Sequence, residues 1–181
     1  MRILIPLLLL ACCGKAQPFQ RNRLTFSGGW AVPVNGSQFE GAPVLGFTYG
    51  YRFHPYIEAE TGLLTAIHPG PEVRGANYDF QNYDRLLWVP FGIRFVAPLR
   101  QKRVELSAGA GGLFENYSSG PSGPYAYAYD GWGGYLMGSA SVALDRGRHF
   151  WFGAASRFLF ANPQYRRDRW FTITGEVSFR F

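Results

Sequence analysis

The residues able to carry chemistry are few and loosely grouped. Three histidines stand at His54, His68 and His149. His68 opens a stretch that also holds Glu72, Asp79 and Asp84, so a histidine base oriented by a carboxylate could be built there. Hydrolysis would further need a nucleophile within hydrogen-bond reach of that base. The candidate serines, Ser37 and Ser118, are connected to His68 only by lying in neighbouring loop-like stretches. His54 and His149 adjoin Pro55 and Arg148 and read as turn residues. No His/Cys/Asp spacing matches a transition-metal site. The expectation is a protein with no catalytic, cofactor or metal set, a lipid-modifying enzyme built on His68 being the first alternative.

Two glycine-rich runs, Gly109-Ala110-Gly111-Gly112 and Gly131-Trp132-Gly133-Gly134, invite a phosphate-cradle reading. Neither precedes a helical pattern, so the dinucleotide and P-loop readings fail on context. Glycine within strands relieves crowding or permits bends. The formal charge of +6 raises the question of nucleic acid, but the basic residues are scattered singly or in short clusters such as Arg166-Arg167. They make no basic face, and no nucleic-acid partner is expected. Arg74, Arg166, Arg167 and Arg169 would suit lipopolysaccharide phosphates, with ordinary solvated loop charge the plainer reading.

What positions these residues begins with an export segment. Arg2 precedes the apolar run Ile3–Ala11, and Gly14-Lys15-Ala16 resembles a small-x-small cleavage site. Residues 1–16 are therefore read as a signal peptide and residues 17–181 as one domain. The apolar run is far short of the ~20 residues a transmembrane helix requires. Leu9-Leu10-Ala11-Cys12 also resembles a lipobox that would acylate Cys12, although leucine just before the small residue is a less favoured pattern. Cysteine occurs only at Cys12 and Cys13, so cleavage after Ala16 leaves a chain with neither disulfides nor a cysteine metal site.

Beyond Gln17 the dominant period is two, the strand period. Phe171, Ile173, Gly175, Val177, Phe179 and Phe181 alternate with Trp170, Thr172, Thr174, Glu176, Ser178 and Arg180. The same split runs through Pro43–Phe53, Leu87–Phe95, Val104–Gly111 and Phe150–Phe160, and more weakly through Arg23–Val32, Tyr56–Ile67 and Trp132–Leu144. These are about eight segments of bilayer-crossing length. Tight turns at His54-Pro55, Pro98–Lys102 and Asp145–Arg148 alternate with longer connections at Pro33–Gly41, His68–Tyr83, Asn116–Gly131 and Asn162–Arg169. Short turns on one rim and long loops on the other predict an all-β, eight-stranded, antiparallel up-and-down transmembrane β-barrel.

A soluble barrel also alternates, but points its apolar face inward. Here aromatics make up 18% of the chain against 17% charged residues, more bulk than a narrow lumen can hold. The bulky face is therefore assigned to lipid and the small polar face to the lumen. That places Arg52, Glu58, Glu60, Arg94, Glu105, Glu115, Arg157, Glu176 and Arg180 inside. Both signs of charge in a dry tube require pairing, which predicts an ion-pair network filling the lumen rather than an open pore; a narrow channel or small-ligand transporter is the second alternative. The Ser118–Trp132 stretch reads as an irregular loop in which Tyr125, Tyr127, Tyr129 and Trp132 could form an adhesive surface or an interfacial aromatic belt, or whose alternating tyrosines could extend a strand above the membrane.

The C-terminal stretch Ile173–Phe181 resembles the assembly signal of outer-membrane barrels, with Phe181, Phe179, Val177 and Ile173 matching and Gly175 a weak member. With the leader and the strand pattern, the chain resembles the small eight-stranded outer-membrane proteins, such as outer-membrane protein X and the transmembrane part of outer-membrane protein A. That resemblance implies residence in the bacterial outer membrane among lipid and lipopolysaccharide. It also implies recognition by the barrel-assembly machinery, and a structural or surface role through long extracellular loops whose ligand the sequence does not name.

Overall fold

The computed structural model describes residues 20–34, 41–75, 78–99, 103–119, 127–163 and 168–181. They form β1 (Asn22–Pro33), β2 (Ala42–His54), β3 (Ile57–Gly75), β4 (Tyr78–Leu99), β5 (Val104–Ser119), β6 (Tyr127–Ala143), β7 (Phe150–Pro163) and β8 (Asp168–Arg180). Each strand pairs antiparallel with its sequence neighbours, and β1 pairs with β8 to close the barrel. An even number of strands brings both ends of the barrel to the rim that carries the short turns. There Asn22 and Phe181 exchange backbone hydrogen bonds, N–H to carbonyl, at 2.9 and 3.1 Å.

The two-residue period sets the burial of every strand. In β8, Trp170, Thr172, Thr174, Glu176, Ser178 and Arg180 are buried, whereas Phe171, Ile173, Val177 and Phe179 are exposed. The same holds in β2, where Leu45, Phe47, Tyr49, Tyr51 and Phe53 point outward from Val44, Thr48 and Arg52. Strand alternation alone fixes this, because a one-residue slip would exchange the two faces.

The strands are unequal, and this corrects the loop assignment made from sequence. β3 and β4 run for 19 and 22 residues and β5 and β6 for 16 and 17, against 12 to 14 in the remaining four. Most of the His68–Tyr83 stretch, expected as a loop, is a hairpin whose ladder continues from His68↔Asp84 to Gly75↔Tyr78. Asn116–Gly131 is likewise paired from Asn116↔Asp130 out to Ser119↔Tyr127. Pro69 and Pro71 lie within this part of β3, and β2 meets β3 only as far as Val44↔Ala66. Further along, β3 has no second strand partner among the described residues, and an edge strand tolerates proline.

Candidate functional site

The lumen divides into two chemically different halves. Toward the short-turn rim lie the charges. Arg23 reaches Glu58 Oε1 through Nε at 2.8 Å and Glu60 Oε2 through Nη2 at 2.5 Å, and donates to Thr25 at 2.7 Å. Arg94 meets Glu60 at 3.3 Å and the hydroxyls of Ser107 and Ser139 at 2.7 Å each. Arg157 pairs with Glu176 at 2.7 Å, and Arg180 with Glu105 at 2.7 Å. Arg52 bridges Glu58 at 3.4 Å and Glu105 at 3.2 Å. All of the charged side chains are buried, so each charge depends on its partners rather than on water.

Glycine opens room for this network at two points. A Cβ at Gly50 would run into the Glu58 carboxylate, and one at Gly92 would meet the Tyr135 hydroxyl and the Gly111 backbone. The small residues on the lumenal face thus make space for long ones from other strands.

Toward the long-loop rim the lumen is apolar. Leu64, Leu86, Trp88, Leu113, Tyr117, Leu159 and Trp170 form one buried cluster with Ala31, Ala42, Val44, Ala66 and Ala161. Trp88 and Trp170 meet edge-on with ring centroids 5.6 Å apart. Trp88 Nε1 donates to Glu115 Oε2 at 2.7 Å. One expectation is corrected here. The ion-pair network does not fill the lumen, since an apolar plug occupies the half above it. The phenylalanines of the bulky face, among them Phe91, Phe95, Phe152, Phe160 and Phe179, point outward as expected, while Trp88, Trp151, Trp170, Tyr117 and Tyr135 are buried in the lumen. Small neighbours make the difference, because alanine and glycine on facing strands release the volume an indole takes.

Of the nine charges assigned inward, Arg52, Glu58, Glu60, Arg94, Glu105, Arg157, Glu176 and Arg180 come together, while Glu115 sits with Trp88 in the apolar half. Sequence reasoning missed Arg23, the residue that joins Glu58 to Glu60. Its parity with Thr25 and Ser27 was the available signal, blurred by Gly28-Gly29 further along β1.

The four aromatics assigned to one surface loop are not one surface. Tyr129 turns inward and stacks on Tyr117 at 4.6 Å, against the apolar cluster. Trp132, two-thirds exposed, points outward between Phe91 and Phe114 at 6.2 and 5.1 Å. Tyr127 pairs with Ser119 in the ladder, and Tyr125 lies outside the described residues. The physical reason is parity: positions 129 and 132 fall on opposite faces of β6.

The histidines do not converge. His54 lies at the short-turn rim beside Tyr56, and His149 contacts the Arg180 carbonyl at 3.0 Å at the same rim. His68 pairs with Asp84 far up the β3–β4 hairpin. Ser118 stands on β5, opposite Arg85 and Ala128, and Ser37 lies outside the described residues. Among the described residues no group of three metal-ligating side chains occurs. In the β6–β7 turn Asp145 accepts the Phe150 N–H at 2.8 Å, and this bond holds its carboxyl below the usual carboxylate range.

The residues that match the assembly signal, Ile173, Val177 and Phe179, all face outward on β8, with Phe181 beyond it. Phe179 touches Phe150 at 5.1 Å and Phe181 at 5.7 Å.

No protein-family model matches the chain, and no curated protein is significantly similar to it in sequence. Solved structures share its fold. The outer membrane protein OprG from Pseudomonas aeruginosa is 13% identical, with a TM-score of 0.64 over 92% of this chain and 99% of that one. Neisserial surface protein A is 14% identical, with a TM-score of 0.63 over 88% and 97%. Ail, the attachment invasion locus protein of Yersinia pestis, is 11% identical, with a TM-score of 0.59 over 90% and 100%. At these identities the likeness is one of fold: the small, eight-stranded, antiparallel barrel found in outer-membrane proteins.

Proposed function

We propose that the chain is a bacterial outer-membrane protein whose barrel is closed by its own side chains and whose role is structural or at the cell surface. The observation that carries this reading is the outer wall. Phe26, Leu45, Phe95, Leu136 and Ile173 are each more than half exposed, with side chains of the same kind on neighbouring strands, while the charges are buried inside. A contiguous apolar wall of this kind is costly in water and natural in a bilayer.

Export by the 1–16 segment and recognition of the C-terminal signal by the assembly machinery belong to the same proposal. In that orientation the short-turn rim faces the periplasm, and the extended β3–β4 and β5–β6 hairpins stand outside among lipopolysaccharide. Strand pairing beyond the membrane supplies a rigid display for a surface contact, which supports a surface role over transport. The apolar plug beneath it argues the same way.

Fractionation with and without boiling tests the assignment. Recovery in the outer membrane, with a band that shifts on heating, supports it. Release with the soluble periplasm and no shift overturns it. Steady single-molecule conductance in a planar bilayer would refute the closed lumen while leaving the location intact.

A further inference from the structure

At the short-turn rim a cavity of about 240 Å³ opens below the ion-pair network, lined among others by Arg52, Glu105, Arg148, Trp151 and Arg180. That is far more space than one water needs. Its polar wall is dominated by guanidinium groups. The Arg180 guanidinium lies 3.8 Å from the centroid of the Trp151 ring and bonds Glu105. Arg52 shares the same carboxylate at 3.2 Å. Arg148 is held at the mouth by a positive φ of 60°, with its carbonyl accepting the Trp151 indole N–H at 2.7 Å.

One further observation points to a ligand. Among the buried lumenal side chains the charges do not balance at this end: Arg23, Arg52, Arg94, Arg157 and Arg180 face Glu58, Glu60, Glu105 and Glu176, because Glu115 stands in the apolar half. A buried excess of positive charge favours an anion.

We propose that this mouth is a binding site for a phosphate-bearing ligand. Guanidinium groups from β2, β8 and the β6–β7 turn approach one cavity, more donors than the two oxygens of a carboxylate use, whereas a phosphoryl group offers at least three acceptor oxygens. The indole of Trp151 gives the remainder of such a ligand an apolar wall. The site rests on the geometry of the mouth and not on the surface role proposed above. Its phosphate could come from a phospholipid headgroup at that rim or from a soluble phosphomonoester.

The test follows the Arg Nε–H and Trp151 indole resonances by NMR, with the protein in a non-ionic detergent at constant ionic strength. Glycerol 3-phosphate is titrated against chloride, and a parallel arm compares nanodiscs of phosphatidylcholine with nanodiscs containing phosphatidylglycerol. Saturable shifts of the Arg52, Arg180 and Trp151 signals with glycerol 3-phosphate support a soluble ligand. Shifts confined to phosphatidylglycerol support a headgroup. In either case Arg148→Asn, which keeps a residue tolerant of positive φ, weakens binding about tenfold or more, the worth of one charge-assisted hydrogen bond. The variant keeps its heat-shifted band, showing that the barrel is intact. Shifts that do not saturate, that chloride reproduces, or that Arg148→Asn leaves unchanged overturn the proposal.

Discussion

Arg23 and Glu58 join strands that do not pair: β1 and β3 are separated by β2, yet the Arg23 guanidinium reaches the Glu58 carboxylate at 2.7–2.8 Å through the lumen. The contact is a cross-brace rather than a rung. Replacing Arg23 with Met leaves Glu58 and Glu60 buried with only Arg52 and Arg94 to answer them. Breaking a buried pair at one partner costs about 3–5 kcal/mol. Arg23→Met should therefore lower the urea midpoint of unfolding markedly. Arg23→Met with Glu58→Gln should be less destabilised than the sum of the two single variants, because the pair is coupled. Strict additivity would show that the brace carries no energy of its own.

The acid sensitivity of the β6–β7 turn can be isolated, because Asp145 lies in water outside the barrel wall. The Phe150 N–H holds its folded pKa below the ordinary value of 3.8. A depressed carboxylate stabilises the fold at pH values above its unfolded pKa, and that contribution is lost as pH falls through the folded value. Asp145→Ala should thus be less stable than the parent at pH 7, and the gap should close as the pH is lowered through the folded value. Equal gaps on either side of that value would mean that the turn depends on the shape of the side chain rather than its charge.

Much of this architecture was legible because a β-strand writes its two faces in alternate letters. β8 and β2 could be read position by position, and eight of the inward charges share a network as their parity required. Trp132 was legible as well, since its even number sets it opposite Tyr129, but grouping by proximity obscured this. The division of the lumen was not legible. Glu115 meets Trp88 rather than Arg94 because the β4–β5 register sets Trp88 opposite it, and that register is contained in neither strand alone. The extension of the β3–β4 hairpin was not legible either: it carries Pro69 and Pro71, which the interior of a sheet excludes and an edge strand tolerates.

A substitution at Phe181 offers a way to separate assembly from stability. Its side chain is half exposed and rests on Phe179, while its backbone supplies the closing hydrogen bonds with Asn22. Phe181→Ala keeps those bonds, so refolding into liposomes and the urea midpoint should change little. If the assembly machinery reads the terminal aromatic, the same variant should reach the outer membrane at a clearly lower level in cells, measured by quantitative blotting of the heat-shifted band. An equal loss in liposomes and in cells would assign Phe181 a packing role instead.

Neighbouring positions of β6 separate the wall from the lumen: Leu136 is 54% exposed on the wall and Tyr135 is buried inside. Arginine on the lipid face costs about 2–4 kcal/mol at the midplane of a bilayer and little near the interface. Leu136→Arg should therefore lower stability in liposomes by that order, read from the shift in the urea midpoint. Arginine at Val142, outward and near the short-turn rim, should cost about 0–1 kcal/mol. A barrel surrounded by water predicts no such difference, because each arginine would simply be solvated. The depth dependence, more than either variant alone, decides which solvent the wall was built for.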